Sequence, residues 1–338
     1  MSLTKVSYSM IEGSTGVENV GIGENVFGSL TTGESNTAFG FNALAANTSG
    51  YGNVAVGIGA LSLNTTADQN TAVGRFSLTN NTVGFENVAL GTSTLGANTT
   101  GNINVAVGRK ALLRNTTGSE NTAVGTNSMG DEALPGVSTG DGNAAFGRNT
   151  LKANTTGFSN TAIGRSALAT NDTGSQNTAV GQSALVFATT GTDNVSIGAN
   201  SSSAMISGVA NVAVGSSALL LATNDRNTAL GNNALATTTT GTNVIGIGDG
   251  VEASSATASN EVTIGNNSIT NFRIPGVGFS AIAGSITFGG ANILVGTGSP
   301  EGAQTAPVGS LFLRTDGGAG STLYIKESGT GNIGWVAK

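Results

Sequence analysis

Acid–base and metal chemistry in proteins leans on histidine, cysteine and convergent carboxylates, and the first two are absent from all 338 residues. Their absence excludes a His-dependent triad, an imidazole general base and any His or Cys metal site. Nineteen carboxylates remain. Asp131, Glu132 and Asp141 stand close together in sequence, and Ca²⁺ favours clustered oxygens, but their spacing fits no established calcium loop and reads as a solvated loop. Asp131 and Glu132 make a poor glycosidase pair, because that chemistry needs two carboxyls held apart across a groove and consecutive side chains diverge. The glycine-rich GIGDG (246–250) and GVGFSAIAG (276–284) lack the strand, loop and helix context of a phosphate cradle and the Gly-Lys-Ser/Thr that completes one. No catalytic, cofactor-binding or metal-ligating residue is assigned. The chain is expected to be no enzyme and to need no cofactor.

The scaffold that must position any such residues is a single stretch that keeps returning along the chain. Asn160–Gln176 reads NTAIGRSALATNDTGSQ, and Asn177–Asp193 reads NTAVGQSALVFATTGTD. Asn opens a unit at 19, 36, 53, 70, 87, 104, 121, 143, 160, 177, 194, 211 and 227, with looser copies at Asn243 and Asn260. The step is 17 residues except for one of 22 and one of 16. A short fixed period marks a solenoid, whose units bury their apolar faces only against their neighbours.

Numbering each unit from its Asn, position 3 is nearly always Ala, position 4 is a large apolar residue and position 9 is usually Leu. Position 5 is Gly, at Gly40, Gly57, Gly74, Gly91, Gly108, Gly125, Gly147, Gly164, Gly181, Gly198, Gly215 and Gly231. A corner that needs positive φ or a missing Cβ explains them. Each coil is therefore expected to run strand, Gly corner, second short strand, polar Gly corner, since a helix of six residues is too short. Side chains alternate along a strand, so positions 2 and 4, with Leu at position 9, are expected to fill the interior. The Ala stripe is then expected to face outward, where another chain packs closely. Stacked at about 4.8 Å, the opening Asn side chains are placed to bond in a ladder, and about fifteen coils give a rod of roughly 70 Å. The N-x-[ST] sequons at Asn98, Asn115 and Asn154 read as turn chemistry rather than glycan acceptors. Five extra residues around 131–135 read as a loop.

The fold class is thus all-β: a parallel β-solenoid (β-roll) over 19–269, followed by a small β module over 270–338. In that module 311–314 and 322–326, around the turn at 316–318, read as a β-hairpin or small meander. Residues 1–18 form a separate segment in which Val6, Tyr8 and Met10 alternate with polar neighbours, as in an attachment strand. Charge is low (9% of residues) with a net of −6, which argues against nucleic acid. No apolar run reaches membrane-spanning length and the first residues lack a signal-peptide core, so a soluble chain without membrane insertion or cleavable leader is expected. Among binding-prone residue types, Arg273, Arg314, Tyr324 and Trp335 in the last module are candidates for host contact or for a trimer core.

MSLTKVSYSMIEG resembles the N-terminal segment of many bacteriophage tail fibres and tailspikes. GSPEGAQTAPVGSLFLRTDGGAGSTLYIKESGTGNIGWVAK is similar to the C-terminal module of many phage fibres. The repeat resembles the heads of trimeric autotransporter adhesins, which are trimers of left-handed parallel β-rolls with shorter units. The resemblance implies a homotrimeric, left-handed roll in a non-catalytic tail fibre, made in the host cytoplasm and residing in the virion. Its partners are then further copies of itself, a tail or baseplate protein at the N-terminus, and a host-surface glycan or protein. The alternatives are a cell-surface trimeric adhesin and, further off, a glycan-cleaving tailspike.

Overall fold

A computed structural model describes residues 18–130, 138–269, 286–288, 291–317, 322–329 and 331–338. Val6, Tyr8, Met10, Asp131, Glu132 and Arg273 lie outside these residues, as does the strand expected within 1–18. The chain divides into two units, one ending at Thr270 and one starting at Asn271.

The first unit is a parallel β-solenoid. Its strands, each three residues long, are β1 (Val20–Ile22), β2 (Thr37–Phe39), β3 (Val54–Val56), β4 (Thr71–Val73), β5 (Val88–Leu90), β6 (Val105–Val107), β7 (Thr122–Val124) and β8 (Ala144–Phe146). They continue with β9 (Thr161–Ile163), β10 (Thr178–Val180), β11 (Val195–Ile197), β12 (Val212–Val214), β13 (Thr228–Leu230), β14 (Ile245–Ile247) and β15 (Val262–Ile264). Consecutive strands pair in parallel with like positions opposed, as in Ala162↔Ala179. The β-branched residues at positions 2 and 4 suit such a pleated surface.

The faces are the reverse of the sequence expectation. Position 3 points inward: Ala38, Ala55, Ala72, Ala162 and Ala179 are fully buried within one chain. Positions 2 and 4 point out. The glycines at position 3 show the packing directly. A Cβ on Gly21 would meet Val26 and Phe27, and one on Gly246 would meet Leu235, so position 3 abuts positions 8 and 9 across a thin interior. That interior admits one large side chain per coil. Where position 9 enlarges to Phe27, position 3 shrinks to Gly21. Where it shrinks to Ser202, Met205 at position 12 is buried. Close packing of this kind leaves no room for the aliphatic groups of positions 2 and 4 as well.

The second half of the coil is not a strand either. Among the described residues each well-formed coil has one three-residue strand followed by turns. The backbone enters the left-handed region at position 7 (Asn42, φ 56°), position 9 (Leu44, φ 51°) and position 17 (Ser35, φ 55°), and it does so coil after coil. Local bonds close two turns, Ala43 N–H to Gly40 O and Asn47 N–H to Leu44 O, while other amides reach the adjacent coils, as Asn42 N–H does to Glu24 O. The corner glycines are confirmed as positive-φ residues. Gly164 sits at φ 120°, and a Cβ there would lie 2.7 Å from the backbone of Gly181.

The Asn ladder forms as expected, and it is continuous from Asn19 to Asn227. Each Oδ1 accepts the backbone N–H of the next Asn at 2.8–3.1 Å. Each Nδ2 except that of Asn211 donates to a carbonyl of its own coil, 14 residues on or, in the longer Asn121 unit, 19, as Asn160 does to Gly174 O at 2.8 Å. The last two units are in a different register from the one expected. Val244 and Glu261 take position 1, with Val244 N–H donating to Asn227 Oδ1, while Asn243 and Asn260 stand in the left-handed position 17. A second, shorter ladder runs through position 12 from Asn47 to Asn115, and again from Asn154 to Asn171. It stops where Ala188 follows, and Asn171 Oδ1 is left buried without a partner.

The second unit is a five-stranded sheet: β16 (Ile286–Phe288), β17 (Ala291–Gly296), β18 (Leu311–Arg314), β19 (Leu323–Lys326) and β20 (Trp335–Ala337), in that order. β17 and β18 are parallel and the other pairs antiparallel, so the hairpin read from 311–326 is present.

Two contrasts follow from these faces. Ala179→Asp puts an unpaired charge in the interior and should cost several kcal/mol, whereas Val180→Asp should cost the single chain under about 1 kcal/mol; urea unfolding followed by circular dichroism measures both. Asn160→Ala orphans the buried Asn177 N–H and should cost about 2–4 kcal/mol, against under about 0.5 kcal/mol for the exposed Arg165→Ala. Equal losses within either pair would contradict the assignment of faces.

Candidate functional site

The principal candidate is the outward sheet face of the solenoid. Position 4 is Val, Ile, Leu or Phe in all fifteen strands, and position 2 carries only Val, Ile, Thr or Ala. Many of these side chains are open to solvent, among them Leu90, Phe146 (40%), Ile163, Ile197 and Leu230. Thirty side chains contributing on the order of 50 Å² each make a face on the order of 1,500 Å², several times the largest patch of an ordinary monomer. Parallel sheets normally have both faces covered. Chemically this face is a mostly aliphatic contact surface, its polar groups limited to the hydroxyls of Thr37, Thr71, Thr122, Thr161, Thr178 and Thr228. Sequence reasoning placed these residues inside. The signal that identifies them as outward is the pairing of an invariably small position 3 with a large position 9, which fills a thin interior without them.

A shallow groove crosses the turn side of neighbouring coils, lined by Phe76, Thr79, Asn80, Gly96, Leu113 and Arg114. It arises where Gly96 and Ala97 interrupt a row of larger side chains. Arg75 lies over the Phe76 ring, 4.5 Å from its centroid.

Of the carboxylates singled out by sequence, Asp141 is the described one, and its Oδ1 accepts Ser119 N–H at 2.7 Å, the bond of a turn. Among the described residues no group of three His, Cys, Asp or Glu is placed to hold a metal ion. Glu261 is held below its usual pKa, first by the Ser254 hydroxyl and then by the Ser254 N–H. The sequon residues Asn98, Asn115 and Asn154 are buried, with their amides committed to the second ladder or to the carbonyl that follows, as turn chemistry requires.

In the C-terminal unit the three described sequence candidates, Arg314, Tyr324 and Trp335, separate. Tyr324 and Trp335 are buried and each packs edge-to-face on Phe312, with ring centroids at 6.2 and 6.1 Å. Trp335 is fixed at both nitrogens: its N–H donates to Glu301 Oε2 at 2.7 Å and its Nε1 to Gln304 O at 2.8 Å. These aromatics form the core of the chain's own module, which leaves them little surface for a host contact. Lys326 is buried beside them. Its ammonium donates to the Gly331 and Ile333 carbonyls and lies 5.7 Å from the Trp335 ring centroid. Arg314 is at the surface, paired with Asp316 at 2.7 Å. The Arg314 hydrogen bond, aided by Gly298 N–H, holds Asp316 below the usual carboxylate range. A lowered carboxylate pKa adds stability above its unfolded value and loses it as pH falls, but an exposed pair of this kind contributes little.

Trp335→Ala should destabilise this module by about 3–5 kcal/mol, and Arg314→Ala by under about 1 kcal/mol. Near-ultraviolet dichroism of the aromatic cluster tests both; a Trp335→Ala protein with unchanged Tyr signals and stability would remove Trp335 from the core.

Comparison with protein-family models, with curated proteins and with solved structures returned no match.

Proposed function

We propose that this chain is the subunit of a non-catalytic trimeric fibre, a bacteriophage tail fibre that holds a host-recognition surface away from the virion. The observation that carries the reading is the mostly aliphatic sheet face, with a large apolar residue at position 4 of every strand, borne on a stack of like coils. Covering that face requires another protein surface of the same length, and further copies of the chain supply one. Three copies turning their narrow faces to a common axis bury them together and leave the turn sides in water. The roll then supplies length and stiffness, residues 1–18 dock on a tail or baseplate protein, and host glycan or protein is met elsewhere on the fibre. The resemblance of both ends of the sequence to phage fibres supports this assignment over a cell-surface adhesin.

Light scattering of the purified protein should give about three times the 33.1 kDa chain mass, and antibodies to it should label the tails of the particles that carry it. A folded monomer would remove the fibre reading, and unlabelled tails would remove the virion assignment.

A further inference from the structure

The apolar face is bordered by charges of opposite sign. From β4 to β9, the two residues ahead of each strand's opening Asn, positions 16 and 17, include Asp68, Glu86, Glu120 and Asp141 and no base. Behind the same strands, position 6 carries Arg75, Arg109, Arg148 and Arg165 and no acid. Seven of the eight are exposed and Asp68 is half-buried. Among the described residues none of them has an ion-pair partner in its own chain. Asp68 and Asp141 each use one oxygen on a backbone N–H, which leaves the other free. The sheet face thus has an acidic entry edge and a basic exit edge, each repeated along the middle of the stack.

We propose that copies of this chain assemble with their coil axes parallel, the acidic edge of one sheet meeting the basic edge of the next. This rests on the reading of the sheet face as a self-association surface. Rotation about an axis along the coils carries each entry edge onto a neighbour's exit edge, so that in register Arg148 meets the second copy's Asp141 and Arg75 meets its Asp68. Turning one copy end over end instead sets acid against acid and base against base, and like charges brought together oppose association. The same edge-to-edge relation repeats around the axis and closes into a ring. The charges select direction and register, while the apolar face supplies the area.

β8 is the eighth of fifteen strands, so in full overlap it lies opposite β8 whichever way the copies run. Only the edges that meet differ. The chain has no cysteine, so introduced thiols report alone. Asp141→Cys, Arg148→Cys and the double variant are oxidised after light scattering confirms that each still assembles. The parallel arrangement predicts disulfide-linked multimers, closing at three chains, in the double variant and none in either single variant. Dimers from a single variant would show reversed copies, and an assembled protein that cross-links in no variant would equally overturn the edge pairing. A monomer of the unaltered chain would instead sink the self-association reading itself. A charge test is independent of thiols: Arg148→Asp should loosen the assembly at least several-fold, and Arg148→Asp with Asp141→Arg should restore it. No restoration would count against the pairing.

Discussion

One buried asparagine per coil sets the terms for the rest of the solenoid. Its Oδ1 accepts from the next coil, and its Nδ2 donates both to the preceding Oδ1 and to a carbonyl of its own coil, as Asn160 does with Asn143 and Gly174. An aspartate at this place would turn a carboxylate oxygen toward two acceptors, so an amide is required where a carboxylate of the same shape would fail. The amide must also return to the same point every coil. That demand falls on the turns, which reach it by entering the left-handed region at three places per coil, one of them at leucine. A non-glycine residue held there costs on the order of 1 kcal/mol, and the contacts of the neighbouring coils hold it in place.

The period, the ladder and the glycine corners were legible in the sequence because each leaves one invariant residue type at one spacing. The orientation of the strand was not. Alternation says that positions 2 and 4 oppose position 3, but it does not say which side is the interior. Large apolar residues at position 4 and alanine at position 3 suggested the larger set inside. A coil of this girth has room for one Leu and several small groups, and the larger set is left outside. The turns were missed for a related reason. SALA and its relatives look regular, yet position 7 is Asn or Gly in about half of the coils, the types that most readily adopt positive φ, and Gly52 and Gly142 mark position 17 in the same way. Those residues carried the signal that the chain bends there instead of extending.

The C-terminal unit obeys different physics. Its stability gathers around Phe312, Tyr324, Trp335 and the buried Lys326, a compact aromatic core of the kind that the solenoid lacks. Its hairpin was readable from apolar runs flanking a glycine turn. The burial of Tyr324 and Trp335 was not, because the residue types that favour binding sites also favour small cores.

The amide column has a direction that the backbone does not share. Between coils the main chain bonds both ways: Thr37 N–H reaches forward to Asn53 O, while Gly40 N–H reaches back to Ile22 O. In the column every acceptor belongs to the earlier coil and every donor to the later one. Translation delivers the chain in that same order. Each coil that leaves the ribosome meets a fixed oxygen already waiting on the coil made just before it, so the stack can lengthen as a template copied forward, one period at a time, until Val244 takes the last acceptor and offers none of its own.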